Sequence, residues 1–322
     1  MDLSMVSDPQ YSISTVVFLK DLSWALSCSL YMSMILSNLL LFSSFPFADD
    51  ICALMSSSNI KTLVLSVNRE IAKVSTWFKA NKLSLNIAKT NYIIFRSRNK
   101  RVPHDLPHII IDNLVISKLK NIKFLGVTFN ELMDWSIHIS EICKSLSKYV
   151  GILYKLKFIL PSNILNILYS SLILPHLNYC NCIWGNTYKS RLLKPYILQK
   201  KSIRLITKSH MQSASKPLFK KMNILPLHEL ITLNTLIFMY SVKNHIFPLK
   251  YCNMFSLNLN VHSYATRQKD NFHVPKVRLS SSLNSLALVG IKKWNQLPTS
   301  LKDCSTVSCF KKMCRAYLME NL

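Results

Sequence analysis

Residues 40–55 read Leu40-Leu41-Phe42-Ser43-Ser44-Phe45-Pro46-Phe47-Ala48-Asp49-Asp50-Ile51-Cys52-Ala53-Leu54-Met55. Apolar residues flank Ala48-Asp49-Asp50 on both sides, which is the pattern of a β-hairpin turning at the acidic pair. Two adjacent carboxylates are costly to bury without partners. They are also the oxygen donors that Mg²⁺ takes, with water and phosphate completing its shell. Asp49 and Asp50 are therefore the candidate metal ligands. The competing reading is an exposed turn in which Asp is simply a good turn former.

Outward from the hairpin, period and composition change twice. Residues 60–79 place Leu63, Val64, Val67, Ile71, Val74 and Phe78 on one helical face. Asn81-Lys82-Leu83 follows as a turn, with short strands expected at 84–86 and 92–95. Residues 96–107 form a basic, proline-marked loop. Residues 109–111, 114–116 and 124–129 read as β, with Asp112-Asn113 as a hairpin turn. From Asp134 onward the period is helical: 138–158, a break at Leu160-Pro161-Ser162, then 163–174 up to Pro175, 191–207, 227–242, and 289–322 around Leu297-Pro298. No internal repeat is visible. The expected class is α+β, a β-containing part followed by a mostly helical remainder.

Composition narrows the function. The chain has 322 residues, 40 Lys+Arg against 15 Asp+Glu, and a formal charge of +25. That excess points to a polyanionic partner, nucleic acid first and anionic membrane second. Lys194, Lys200, Lys201, Arg204 and Lys208 sit among apolar residues at helical spacing, so the charge belongs to folded faces. Four glycines, with no G-x-G-x-x-G or G-x-x-x-x-G-K-[ST], exclude Rossmann and P-loop nucleotide binding. Nine scattered cysteines read as reduced intracellular thiols. Cys180-x-Cys182 with His176 lacks a fourth zinc ligand, and Cys304, Cys309 and Cys314, five apart, should fan around a helix. Residues 22–48 carry no charge and are long enough to span a bilayer, but eight Ser and Asn residues dilute them.

Several segments in order resemble the reverse transcriptase of non-LTR retrotransposons of the jockey or CR1 kind. They are Phe47-Ala48-Asp49-Asp50; Trp77-Phe78 with residues 81–86, Lys89 and Thr90; Phe124-Leu125-Gly126-Val127; residues 134–139 with Lys144, Lys148 and 151–154; residues 174–180 with Trp184-Gly185; and Ala265-Thr266-Arg267 with residues 294–298. The resemblance implies the end of a polymerase palm, a β-hairpin with a helix and short strands, followed by a helical thumb and C-terminal extension. Its implied boundaries are an apolar lead-in at 1–45, palm at 46–130, thumb at 131–215 and extension at 216–322.

The resemblance also assigns roles. Asp49 and Asp50 would hold Mg²⁺ for RNA-templated DNA synthesis, with a dNTP as substrate. Lys89 would stand near the incoming triphosphate, and Phe124, Leu125 and Gly126 would position the primer through backbone. Lys144, Lys148, Lys155 and Lys157 would track an RNA template, DNA primer or RNA–DNA hybrid, although any one of them also fits a solvated helix face. Trp135 and Tyr154 read as core, with base stacking the alternative. The family's third palm carboxylate lies well upstream of the Asp-Asp box. Pro9-Gln10-Tyr11-Ser12-Ile13 resembles the family's Pro-Gln-Gly-Ser segment with Tyr in place of Gly. The expectation is a fragment that is inactive alone, located in the nucleus or a cytoplasmic ribonucleoprotein. The alternatives are a non-catalytic nucleic-acid binder and a membrane-anchored protein.

Overall fold

The computed structural model describes residues 13–19, 43–47, 50–83, 85–103, 105–261, 268–277 and 283–322. The chain is α+β and forms two compact units, Met1–Asp134 and Trp135–Leu322.

The first unit is built on a five-stranded sheet of order β2-β3-β1-β4-β7. Its strands are β1 (Ile13–Leu19), β2 (Ser43–Phe47), β3 (Asp50–Ser57), β4 (Asn91–Arg96) and, after two short strands, β7 (Ser117–Lys118). β1 lies antiparallel between β3 and β4, pairing Leu19 with Ile51 and Phe18 with Asn91. Residues 1–45 carry no clean period, yet Ile13–Leu19 (ISTVVFL) is β-branched and aromatic enough to complete the sheet. Pro46 sits in β2, an edge strand, where a missing N–H costs no ladder bond.

Helix α1 (Ile60–Ala80) covers one sheet face. Asn59 caps it, its side chain accepting the Lys61 N–H at 2.9 Å. All six residues of the expected apolar stripe are buried, packing with Ala53, Tyr92 and Ile94. Tyr92 through Phe95 are all buried, so both faces of β4 are covered. The strand expected at 84–86 is absent at Leu85 and Asn86. Asn86 instead caps a 3-10 turn, Ile87–Lys89, because its side chain offers the backbone a local acceptor. Two hairpins follow, β5 (Ile110–Ile111) with β6 (Leu114–Val115) and β8 (Asn121–Phe124) with β9 (Val127–Asn130). The single strand expected over 124–129 is thus split at Leu125-Gly126. Arg96 and Glu131, both largely buried, pair at 2.8 Å and tie β4 to the end of β9.

The second unit is helical. Helix α2 (Ser136–Leu156) packs along α3 (Lys189–Ile206), and α4 (Leu227–Lys243) packs against α5 (Leu286–Asn295) and α6 (Val307–Glu320). Pro175 does not end its helix. A π-turn at Tyr169–Ile173 re-phases the hydrogen bonds, so the proline falls at the start of the next turn, Leu174–Asn178, where it needs no donor. Trp294 is the centre of an aromatic core with Tyr240, Phe272 and Phe310. Its neighbour Asn295 grips both backbone groups of Phe272, at 3.0 and 2.8 Å. Among the described residues no helix is long and apolar enough to cross a membrane, and most of 22–48 lies outside them.

Candidate functional site

The two strands that flank the acidic pair have a defined register. β2 and β3 pair in antiparallel register, with Phe47 opposite Asp50. Asp50 is the first residue of β3, and Asp49 lies outside the described residues. The C-terminal end of β1 lies at the same end of the sheet, since Leu19 pairs with Ile51. Among the described residues no group of three His, Cys, Asp or Glu could hold a metal ion.

Lys89 is exposed at the end of the 3-10 turn, its N–H bonded to Asn86, with buried Thr90 leading into β4. Phe124, Leu125 and Gly126 form the β8–β9 turn. Leu125 has φ 44° and Gly126 φ 77°, the left-handed pair of a type I′ hairpin that follows the strand twist. Asp112 and Asn113 do the same in the preceding hairpin, at φ 49° and 65°. Lys79 at 2.6 Å, then Ser75 at 2.7 Å, hold the Asp112 carboxyl below its usual range.

On α2 the four predicted lysines separate. Lys144, Lys148 and Lys155 are exposed and share one line of the helix, spaced i, i+4 and i+11, about 16 Å end to end. Lys157 stands at the C-cap, its Nζ 4.6 Å from the ring centroids of both Tyr154 and Phe158. Trp135 is buried as expected, but Tyr154 is 53% exposed and not core.

On α3, Lys194 and Lys201 are exposed, seven residues apart, and Lys208 is exposed just beyond the helix. Lys200 instead lies over the Tyr196 ring, and Arg204 is tied to the Ser213 carbonyl. Sequence spacing missed a cluster drawn from several helices. The charges of Lys189 and Lys293 reach His228, and burial first, then those lysines, holds its imidazole below its usual range. Burial also raises Glu229 and lowers Lys293, whose Nζ donates to Thr232 at 2.7 Å.

The cysteines sort by burial. Burial pushes Cys182 up to about 11 and raises Cys180. Cys304 precedes the α6 cap at Thr306, so the spacing argument fails there. Cys304 and Cys309 both meet the Met313 sulfur, at 3.5 and 3.8 Å, while Cys314 faces the core.

Segments singled out in the sequence prove to be packing devices in this unit. Trp184 is fully buried and donates to the Tyr179 carbonyl at 2.8 Å, and Gly185 packs against Ile231. Comparison with known proteins gives two relatives, both from Drosophila melanogaster. The probable RNA-directed DNA polymerase from transposon X-element is 26% identical over 165 residues, 50% of this chain and 18% of the relative. The RNA-directed DNA polymerase from mobile element jockey is 26% identical over 166 residues, again 50% of this chain and 18% of the relative. Half of the chain is therefore similar to non-LTR retrotransposon reverse transcriptases, a jockey-like region, while spanning under a fifth of those relatives' length. No family model matches the chain, and no solved structure matches it.

Proposed function

We propose that the chain supplies the nucleic-acid-holding part of a reverse transcriptase, gripping a primer–template duplex through the lysine line of α2. The observation that carries this is the alignment of Lys144, Lys148 and Lys155, all exposed on one line, in a chain half of which is similar to RNA-directed DNA polymerases. Lysines spaced this way neutralise phosphates without reading sequence. Lys157, already engaged with two rings, contributes less.

The chemistry is assigned to the acidic hairpin. Asp49 and Asp50 are consecutive carboxylates at a hairpin end, the donor type that Mg²⁺ takes with water and phosphate oxygens. When bound, the ion supplies charge stabilisation for phosphoryl transfer. Lys89 is read as a triphosphate-facing position, and the Leu125-Gly126 peptide groups as primer contacts.

The test is anisotropy of a labelled RNA–DNA hybrid over a salt series, with primer extension in parallel. Replacing Lys144, Lys148 and Lys155 by Ala should flatten the plot of log K against log salt by about 0.9 per lysine. Asp49→Asn should leave hybrid binding intact and, where the wild type extends a primer, abolish that extension. Binding by the wild type with no extension would assign the chain the holding role alone. An unchanged slope in the lysine variant would overturn the reading.

A further inference from the structure

Two of the chain's four glycines, Gly126 and Gly185, are required by the fold, and a third, Gly290, is closely packed. Gly126 has φ 77° in the β8–β9 turn. A Cβ on Gly185 would collide with the Asn181 carbonyl and Ile231, and one on Gly290 would come 2.7 Å from the Met239 sulfur. Gly151 is different: it lies inside α2, exposed, and a Cβ there would meet nothing within 4 Å. Alanine is the better helix former at such a position. Among the described residues nothing asks for glycine here.

Its place on the helix supplies a reason. Gly151 stands three residues after Lys148 and four before Lys155, on the lysine line itself. The missing side chain opens a notch down to the helix backbone between two cations. Glycine at such a point permits close approach of another backbone. We propose that Gly151 is where the sugar-phosphate backbone of a double-stranded nucleic acid meets α2 most closely, with Lys148 and Lys155 on the phosphates to either side. The inference rests on the duplex-holding reading of α2.

A duplex fits better than a single strand. A-form helices are recognised by shape, through sugar and phosphate contacts across a wide, shallow groove. Single strands are held chiefly by stacking on rings. Tyr154 lies off the line by helical spacing, and Lys157 covers one face of the exposed Tyr154 ring and one of the exposed Phe158 ring, 4.6 Å from each centroid.

The test uses the full chain with Gly151→Ala and Gly151→Leu, read by melting and by anisotropy. The probes are an RNA–DNA hybrid of about 20 base pairs, long enough for the 16 Å line, and single-stranded RNA of the same sequence. Gly151→Ala should raise the melting temperature by about 2–4 °C. It should weaken hybrid binding roughly three- to tenfold, the loss of one or two hydrogen bonds' worth of contact. Gly151→Leu should weaken it further. Single-strand affinity and the salt slope should not change, because no charge is removed.

Unchanged hybrid affinity in both variants would overturn the inference, as would an equal loss on the single strand. If the triple lysine variant weakens binding while both Gly151 variants do not, only this inference falls. If the lysine variant changes neither affinity nor slope, the duplex-holding reading falls with it.

Discussion

At Gly185 a single methyl decides whether the second unit packs. A Cβ there would press on the Asn181 carbonyl, which is main chain, and on the Ile231 side chain. Gly185→Ala should therefore cost about 1–3 kcal/mol as an overpacked site, measured by denaturant unfolding. Gly151→Ala should move the other way, so the pair calibrates itself. Single residues were unevenly legible in the sequence. Asp49-Asp50 declared itself by residue type, since adjacent carboxylates after an apolar run need an explanation. Tyr154 and Lys157 did not, because spacing names a helical face but not what lies against it. Lys157 proved to rest on two aromatic rings, and Tyr154 to be exposed.

At the scale of elements, Gln199 joins three helical segments. It is fully buried on α3 and donates to Tyr169 Oη and the Leu225 carbonyl, both at 3.0 Å. Its Oε1 accepts the Leu227 N–H at 2.7 Å, at the start of α4. Gln199→Leu strands three buried groups and should cost roughly 3–5 kcal/mol in chemical denaturation. His228, also on α4, makes stability depend on pH. Burial and the neighbouring lysines disfavour its charged form, so the unfolded chain takes up the proton first. Stability is held above the ordinary histidine value of 6.5 and falls as pH drops from there toward the lowered folded value. His228→Gln should flatten the melting temperature over that interval relative to the wild type. Helix α1 was fully readable, since six apolar residues at helical spacing admit no other period. The π-turn before Pro175 was not, because proline reads as a stop unless the hydrogen bonds are re-phased upstream. The meeting of Cys304 and Cys309 on the Met313 sulfur was also hidden, because it depends on where α6 begins.

The whole molecule is an α+β chain of two units with a formal charge of +25. Charge of that size is a statement about partners and was legible from composition alone. The order of a β-containing part and then a helical one was legible too, since strand patterns end near Asp134 and the helical period continues alone after it. The placement of Ile13–Leu19 inside the sheet was not, because pairing across about 30 to 80 residues of sequence leaves no local mark. Half of the chain is similar to RNA-directed DNA polymerases, and on the proposed reading the charge serves a duplex of primer and template. The most direct test of that account is the salt dependence of RNA–DNA hybrid binding by the full chain and its Lys144, Lys148, Lys155 triple-alanine variant. The account predicts steep wild-type dependence and a slope lower by about 2–3 in the variant. Equal slopes would contradict it.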